Sequence, residues 1–111
     1  MPTATPIHAW SPDDRPRERL RAVGARHLSV RELVALLVGS GGSGGSAFHV
    51  ADRLLSWADG SLRRLAAADP GALERVSGVG AATAARVLAA LELGRRSASW
   101  SLRSNLHSER A

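Results

Sequence analysis

Apolar positions recur at helical spacing along most of the chain. After Gly80, Ala84, Val87, Leu88 and Leu91 stand at i, i+3, i+4 and i+7, one face of a helix. Before Gly78, Leu73 and Val76 stand three apart. Only Gly78-Val79-Gly80 separates the two patterns, so two helices must fold back through a very tight turn. Further upstream, Leu33, Val34, Leu36, Leu37 and Val38 predict a helix apolar nearly all round, and hence a central one. Phe48, Val50, Ala51, Leu54, Leu55 and Trp57 give residues 47–58 a broad apolar face. The pattern is that of an all-α, compact bundle of five to six short helices.

Local signals set the boundaries. Asp13-Asp14-Arg15-Pro16 reads as a helix start, with the stop near Val23 and Gly24. Ser29 with Glu32 three residues later is a capping box, and that helix ends at Gly39. Ser46 is placed to cap 47–58, and Ser61 to cap a short helix to about residue 67. Asp69-Pro70 opens a helix over 70–76, and the last helix is predicted over 81–96. Residues 1–12, with three prolines and no periodicity, read as a flexible N-terminal arm. Residues 97–111 are rich in serine and read as a flexible C-terminal tail, although Trp100-x-Leu102 hints at a short strand. The single domain is then 13–96.

The tight turn has a chemical consequence. Gly78 and Gly80 can take positive φ and carry no Cβ, while Val79 is expected to point inward and pin the turn to the core. The first amides of the following helix have no partner within it, and the helix dipole places partial positive charge at the same spot. A phosphate oxygen fits there. The candidate phosphate contacts are Gly78, Val79, Gly80, Ala81 and Ala82, with the Thr83 hydroxyl and, one turn on, Arg86 as a source of long-range attraction. An ordinary αα-hairpin with a glycine-rich turn is the competing reading of the same residues. The run Ser40-Gly41-Gly42-Ser43-Gly44-Gly45-Ser46 also joins two helices. It reads as a second, degenerate hairpin, with Gly41, Gly42, Gly44 and Ser46 as its candidate contacts. Its extra glycines make it the looser of the two.

Composition narrows the classes. Of 111 residues 44% are hydrophobic but only 4% aromatic, so Leu, Val and Ala must fill the interior. The net charge is +5 and all 15 basic residues are arginine. Arginine suits phosphate, yet the total absence of lysine fits a GC-rich genome as well, so charge supports a polyanionic partner only mildly. Six of the arginines fall within 15–31, where a partly paired, solvated face and a DNA-facing one are equally open readings. No cysteine is present, no apolar run reaches 18 residues and no secretory leader pattern opens the chain, so a bacterial cytoplasmic protein without membrane contact is expected. His8, His27, His49 and His107 show no metal-binding spacing. Gly39–Gly44 formally holds Gly-x-Gly-x-x-Gly, but it follows a helix rather than a strand. No Walker loop and no Ser/His/Asp set can be placed, so neither catalysis nor a cofactor is expected.

The order of motifs resembles the N-terminal region of the RadC family (UPF0758) of bacterial proteins. Arg15-Pro16-Arg17-Glu18-Arg19-Leu20, the run 28–37, the glycine-rich turn 39–46, Leu73 to Gly80 and Leu91-Glu92-Leu93-Gly94-Arg95-Arg96 carry the resemblance over about residues 13–96. It implies a tandem helix-hairpin-helix domain, which in that family precedes a JAMM-type metal-dependent domain, and an association with DNA repair. The metal-binding half, with its His-x-His and downstream Asp, has no counterpart in the sequence, so hydrolase chemistry is not carried over. The turn at 40–46 also lacks the basic residue the family pattern has there. Two functions follow as expectations. One is a non-sequence-specific DNA-binding module that grips the backbone of duplex or branched DNA. The other is an interaction or positioning domain for a JAMM-domain protein supplied as another chain.

Overall fold

Side-chain caps and left-handed glycines decide where the helices begin and end. In the computed structural model, which describes residues 15–39 and 46–110 and the side chains through residue 99, helix α1 runs Arg15–Val23. It stops at Gly24, φ 86°, whose N–H donates to the Leu20 carbonyl at 2.9 Å. A single 3-10 turn, Ala25–His27, leads into α2, Val30–Val38. The capping box forms: the Glu32 amide donates to Ser29 Oγ at 3.1 Å, and the Ser29 amide donates to the Glu32 carboxylate at 2.9 Å. Helix α3, Ala47–Trp57, is closed by Asp59 and Gly60, both with positive φ, the Gly60 amide reaching back to the Leu55 carbonyl at 2.7 Å. Helix α4, Leu62–Ala66, is capped by Ser61, which accepts from the Arg64 amide at 3.1 Å.

Helices α5, Pro70–Glu74, and α6, Ala81–Arg110, complete the chain. Asp69 occupies the N-cap position of α5 without a side-chain bond, and Pro70 in the first turn starts the helix by its fixed φ. Helix α6 does not end near Arg96. No proline follows, and Gly94 in a helix interior costs only about 1 kcal/mol, so the serine-rich stretch continues helically to Arg110. The alternation Trp100-x-Leu102 is therefore helical, not a strand. Among the described residues every regular element is helical.

Helix α2 packs on α3 and α6, and α6 also carries α4 and α5. Val34, Ala35 and Val38 of α2 meet Val50, Ala51 and Leu54 of α3 and Ala84 and Val87 of α6 in one apolar cluster. The small side chains let these helices approach closely. Helices α4 and α5 have five residues each, too few to persist unaided. Each is held by one leucine: Leu65 and Leu73 are both fully buried, worth roughly 1.5–3 kcal/mol apiece. Helix α2 is not apolar-buried all round. Val30 and Leu33 keep 45% and 37% of their surface exposed, so one edge of this central helix is only partly covered by the described residues.

The arginine-rich start is partly paired. Arg19 meets Glu32 and also donates to the His27 carbonyl. Arg31 forms a two-pronged bridge to Asp52, at 2.6 and 3.0 Å, with its guanidinium 4.4 Å from the Phe48 ring centre. The hydrogen bond from Arg31 holds the Asp52 carboxyl below the usual range. These bridges tie α1 to α2 and α2 to α3.

Candidate nucleic-acid interface

The second hairpin begins at Leu73, the anchor of α5. The Val76 amide donates to the Leu73 carbonyl at 3.0 Å, and the Val79 amide to the Val76 carbonyl at 3.0 Å. Between them Gly78 takes φ 89°, a conformation that strains any L side chain. Val79 is buried, at 5% exposure, and pins the bend to the core. Gly80 follows as the N-cap of α6, its carbonyl accepting from the Ala84 amide at 2.9 Å. Its φ lies outside the positive region, so of the two glycines only Gly78 is required by backbone conformation. Gly80 serves by what it lacks. A Cβ there would meet nothing within 4 Å, so approach to the turn is open on that side, and no side chain caps the helix.

The donors left over form the candidate site. Among the described residues, no hydrogen bond engages the amides of Gly78, Gly80, Ala81, Ala82 or Thr83. Gly78 through Ala82 are exposed apart from Val79, and Thr83 is half-buried. The Val79 amide is already bonded within the turn, so this residue contributes its side chain to the core and no donor to a ligand. Unpaired amides at the start of a helix, reinforced by its dipole, are what an anionic oxygen needs.

Arg86 does not stand free one turn up. Its Nε donates to the Leu37 carbonyl at 3.2 Å, and a terminal nitrogen lies 3.4 Å from both the Val38 carbonyl and Thr83 Oγ1. It thus closes the C-terminal end of α2, where the first glycine-rich turn departs. Thr83 Oγ1 accepts there and keeps its own proton to donate. A reciprocal contact comes from the other hairpin: Arg53 of α3 donates to the Ser77 carbonyl at 3.1 Å. Arg53 thus braces the bend of the second hairpin, and Arg86 the end of α2 in the first. With the Ser77 carbonyl turned toward α3, the carbonyl side of the second bend is occupied and the amide side is left to solvent. The sequence carries no sign of these braces, because the acceptors of Leu37, Val38 and Ser77 are main-chain carbonyls, which have no residue identity.

At the first hairpin, Ser46 Oγ accepts from the His49 amide at 3.3 Å and the Ser46 carbonyl from Val50 at 3.1 Å. The Ser46 oxygen is thus committed to its own helix. Gly41, Gly42 and Gly44, the other candidates there, lie outside the described residues.

The family whose description is UPF0758 N-terminal matches residues 7–85. The chain belongs to the UPF0758 family. A UPF0758 protein of Moorella thermoacetica is 51% identical over 88 residues, which are 79% of this chain and 38% of the relative. One from Xanthomonas oryzae pv. oryzae is 48% identical over 90 residues, 81% of this chain and 40% of the relative. One from Trichlorobacter lovleyi is 44% identical over 92 residues with the same coverage. The chain thus spans about two-fifths of the length of these curated relatives, and the matched region is the N-terminal domain. No solved structure matches it. Among the described residues, no helix is long and apolar enough to cross a membrane.

Proposed function

We propose that this chain is a non-enzymatic, non-sequence-specific DNA-binding module of the UPF0758 family. The amides of Gly78, Gly80, Ala81 and Ala82, with the Thr83 hydroxyl, hold one backbone phosphate. The observation that carries the reading is the set of exposed, unengaged amides at the start of α6, ahead of which Gly80 supplies no cap. Phosphate contacts position a protein without reading bases, so affinity is indifferent to sequence. Arg75, exposed three residues before Gly78, adds attraction at longer range. The association with DNA repair that the family resemblance brings belongs to this reading.

The test is binding to duplex and branched DNA across a salt series. A few phosphate contacts give a log–log slope of roughly −2 to −5. Gly80→Val, whose Cβ has open space around it, keeps the helical circular dichroism and loses most binding. A folded variant that binds as well as the parent removes the hairpin from consideration.

A second reading is a positioning domain for a metal-dependent hydrolase of the JAMM type on another chain. Its support is the length of the relatives, most of which lies outside the matched region. DNA binding that is absent at low salt, together with a stable complex with such a protein, would favour it.

A further inference from the structure

Away from the hairpin turn, α2, α4 and α6 enclose an apolar groove with no cover among the described residues. One hollow, of about 660 Å³, lies between α4 and α6, where Leu62, Ala66 and Leu91 share the lining with the charged Arg63, Glu92 and Arg95. A second, of about 180 Å³, is shared by Leu62, Ala90 and Leu91 with Val30 and Leu33 of α2. The three shared residues make the two hollows one continuous surface. Leu62 is 39% exposed at its centre, and Val30 and Leu33 form the partly covered edge of α2. Several large side chains left more than a third exposed around one concavity offer apolar surface to a partner.

The occupant follows from where the groove lies and from the length of the relatives. The matched family domain is N-terminal, and about 60% of the Xanthomonas relative lies outside the region it shares with this chain. An N-terminal family domain leaves most of that share C-terminal to it, and α6, the last helix of this chain, forms one wall of the groove. A domain joined after α6 is tethered to that wall, at an effective concentration in the millimolar range. Under such tethering a shallow apolar surface suffices for docking. Leu91 stands ten residues from Ala81, about 15 Å along the helix, so a docked domain leaves the amides at the start of α6 clear.

We infer that the groove of α2, α4 and α6, centred on Leu62, is the seat of the C-terminal portion of a UPF0758 protein. The inference rests on the positioning reading, extended from a partner on another chain to one joined in the same chain, and is independent of phosphate binding. In trans, without the tether, the dissociation constant falls at roughly 10 µM to 1 mM.

The experiment titrates the isotope-labelled 111-residue chain with the C-terminal portion of the Xanthomonas oryzae relative, following backbone amide shifts. In parallel, the same portion is fused after residue 111 and hydrogen exchange is compared with that of the chain alone. The expected result is shift changes and added protection at Leu33, Leu62, Ala90 and Leu91. Leu62→Glu should weaken binding about tenfold or more, and Leu20→Glu, exposed on α1 outside the groove, less than about twofold. Leu62→Glu adds an acid to the first turn of α4, where it favours the helix, so the variant stays folded. Binding that shifts other amides and survives Leu62→Glu overturns the groove while leaving the positioning reading intact. No shift and no added protection overturns both. Self-association of the chain alone that Leu62→Glu abolishes assigns the groove to a second copy and overturns the inference as well.

Discussion

Helices α3 and α6 each follow a glycine-rich bend and each packs into the same apolar cluster, yet their first turns are finished differently. Before α3 stands Ser46, whose hydroxyl takes up the His49 amide. Before α6 stands Gly80, which has no hydroxyl to give, and the amides through Thr83 have no partner among the described residues. One start has a side-chain cap and the other has none. The first helices differ as well. Helix α2 has nine residues, a full capping box and three buried side chains, whereas α5 has five residues and a single buried leucine. The hairpin that offers donors is also the one held by fewer contacts. On the proposed reading, phosphate binding by this hairpin depends on what the N-cap residue withholds, more than on the number of glycines around it.

The most disruptive way to separate the two hairpins is Leu73→Ala. It empties the one site that holds α5, and an equilibrium denaturation curve should show a loss of about 3 kcal/mol. A loss well below 1 kcal/mol would mean that α5 is held by something other than this contact. Next in size is Gly80→Asp. The position has an ordinary φ and open space, and Asp is a favoured N-cap, so the melting temperature should hold or rise. The same carboxylate stands where the phosphate would, and like charges in contact cost enough to lower DNA affinity by about 30-fold or more. Stability and binding moving in opposite directions is the signature; a parallel change would end the comparison.

Much of this arrangement is legible in the sequence. Ser29 with Glu32, Ser46, Ser61 and Gly39 announce their roles because caps and left-handed stops are local, and each is where the structure uses it. Val79 follows from its place between two glycines. What is not legible is non-local. The course of α6 beyond Arg96 depends on the absence of a stop signal in a serine-rich stretch, which resembles a tail in composition. The exposed edge of α2 cannot be read from an all-apolar run, because the run does not say how many neighbours arrive. The site itself is half legible: the bare amides follow from Gly78-Val79-Gly80, while the occupation of Arg86 by the carbonyls of Leu37 and Val38 does not.

Smaller effects sharpen the contrast further. Ser46→Ala should cost about 1 kcal/mol by uncapping α3 and leave DNA affinity within about twofold, since its oxygen serves its own helix. The same substitution reducing affinity as strongly as Gly80→Asp would place the first hairpin in the binding surface too. The smallest effect lies on α6 beyond the site. Hydrogen bonds from Arg95 and then Arg96 lower the Glu92 carboxyl to about 2. A depressed carboxylate contributes stability above its ordinary pKa and loses it as pH falls toward the folded value. Melting temperatures of the parent and Glu92→Gln should therefore differ slightly at pH 6 and converge on acidification toward pH 2. The cluster is solvent-exposed, so the difference shrinks with added salt.

The reciprocal arginines set a minimum for what can be transplanted. Arg53 secures the bend that precedes α6, and Arg86 secures the end of α2. A lone hairpin grafted onto another scaffold would leave behind the guanidinium that braces its bend. Grafting must therefore carry both halves together.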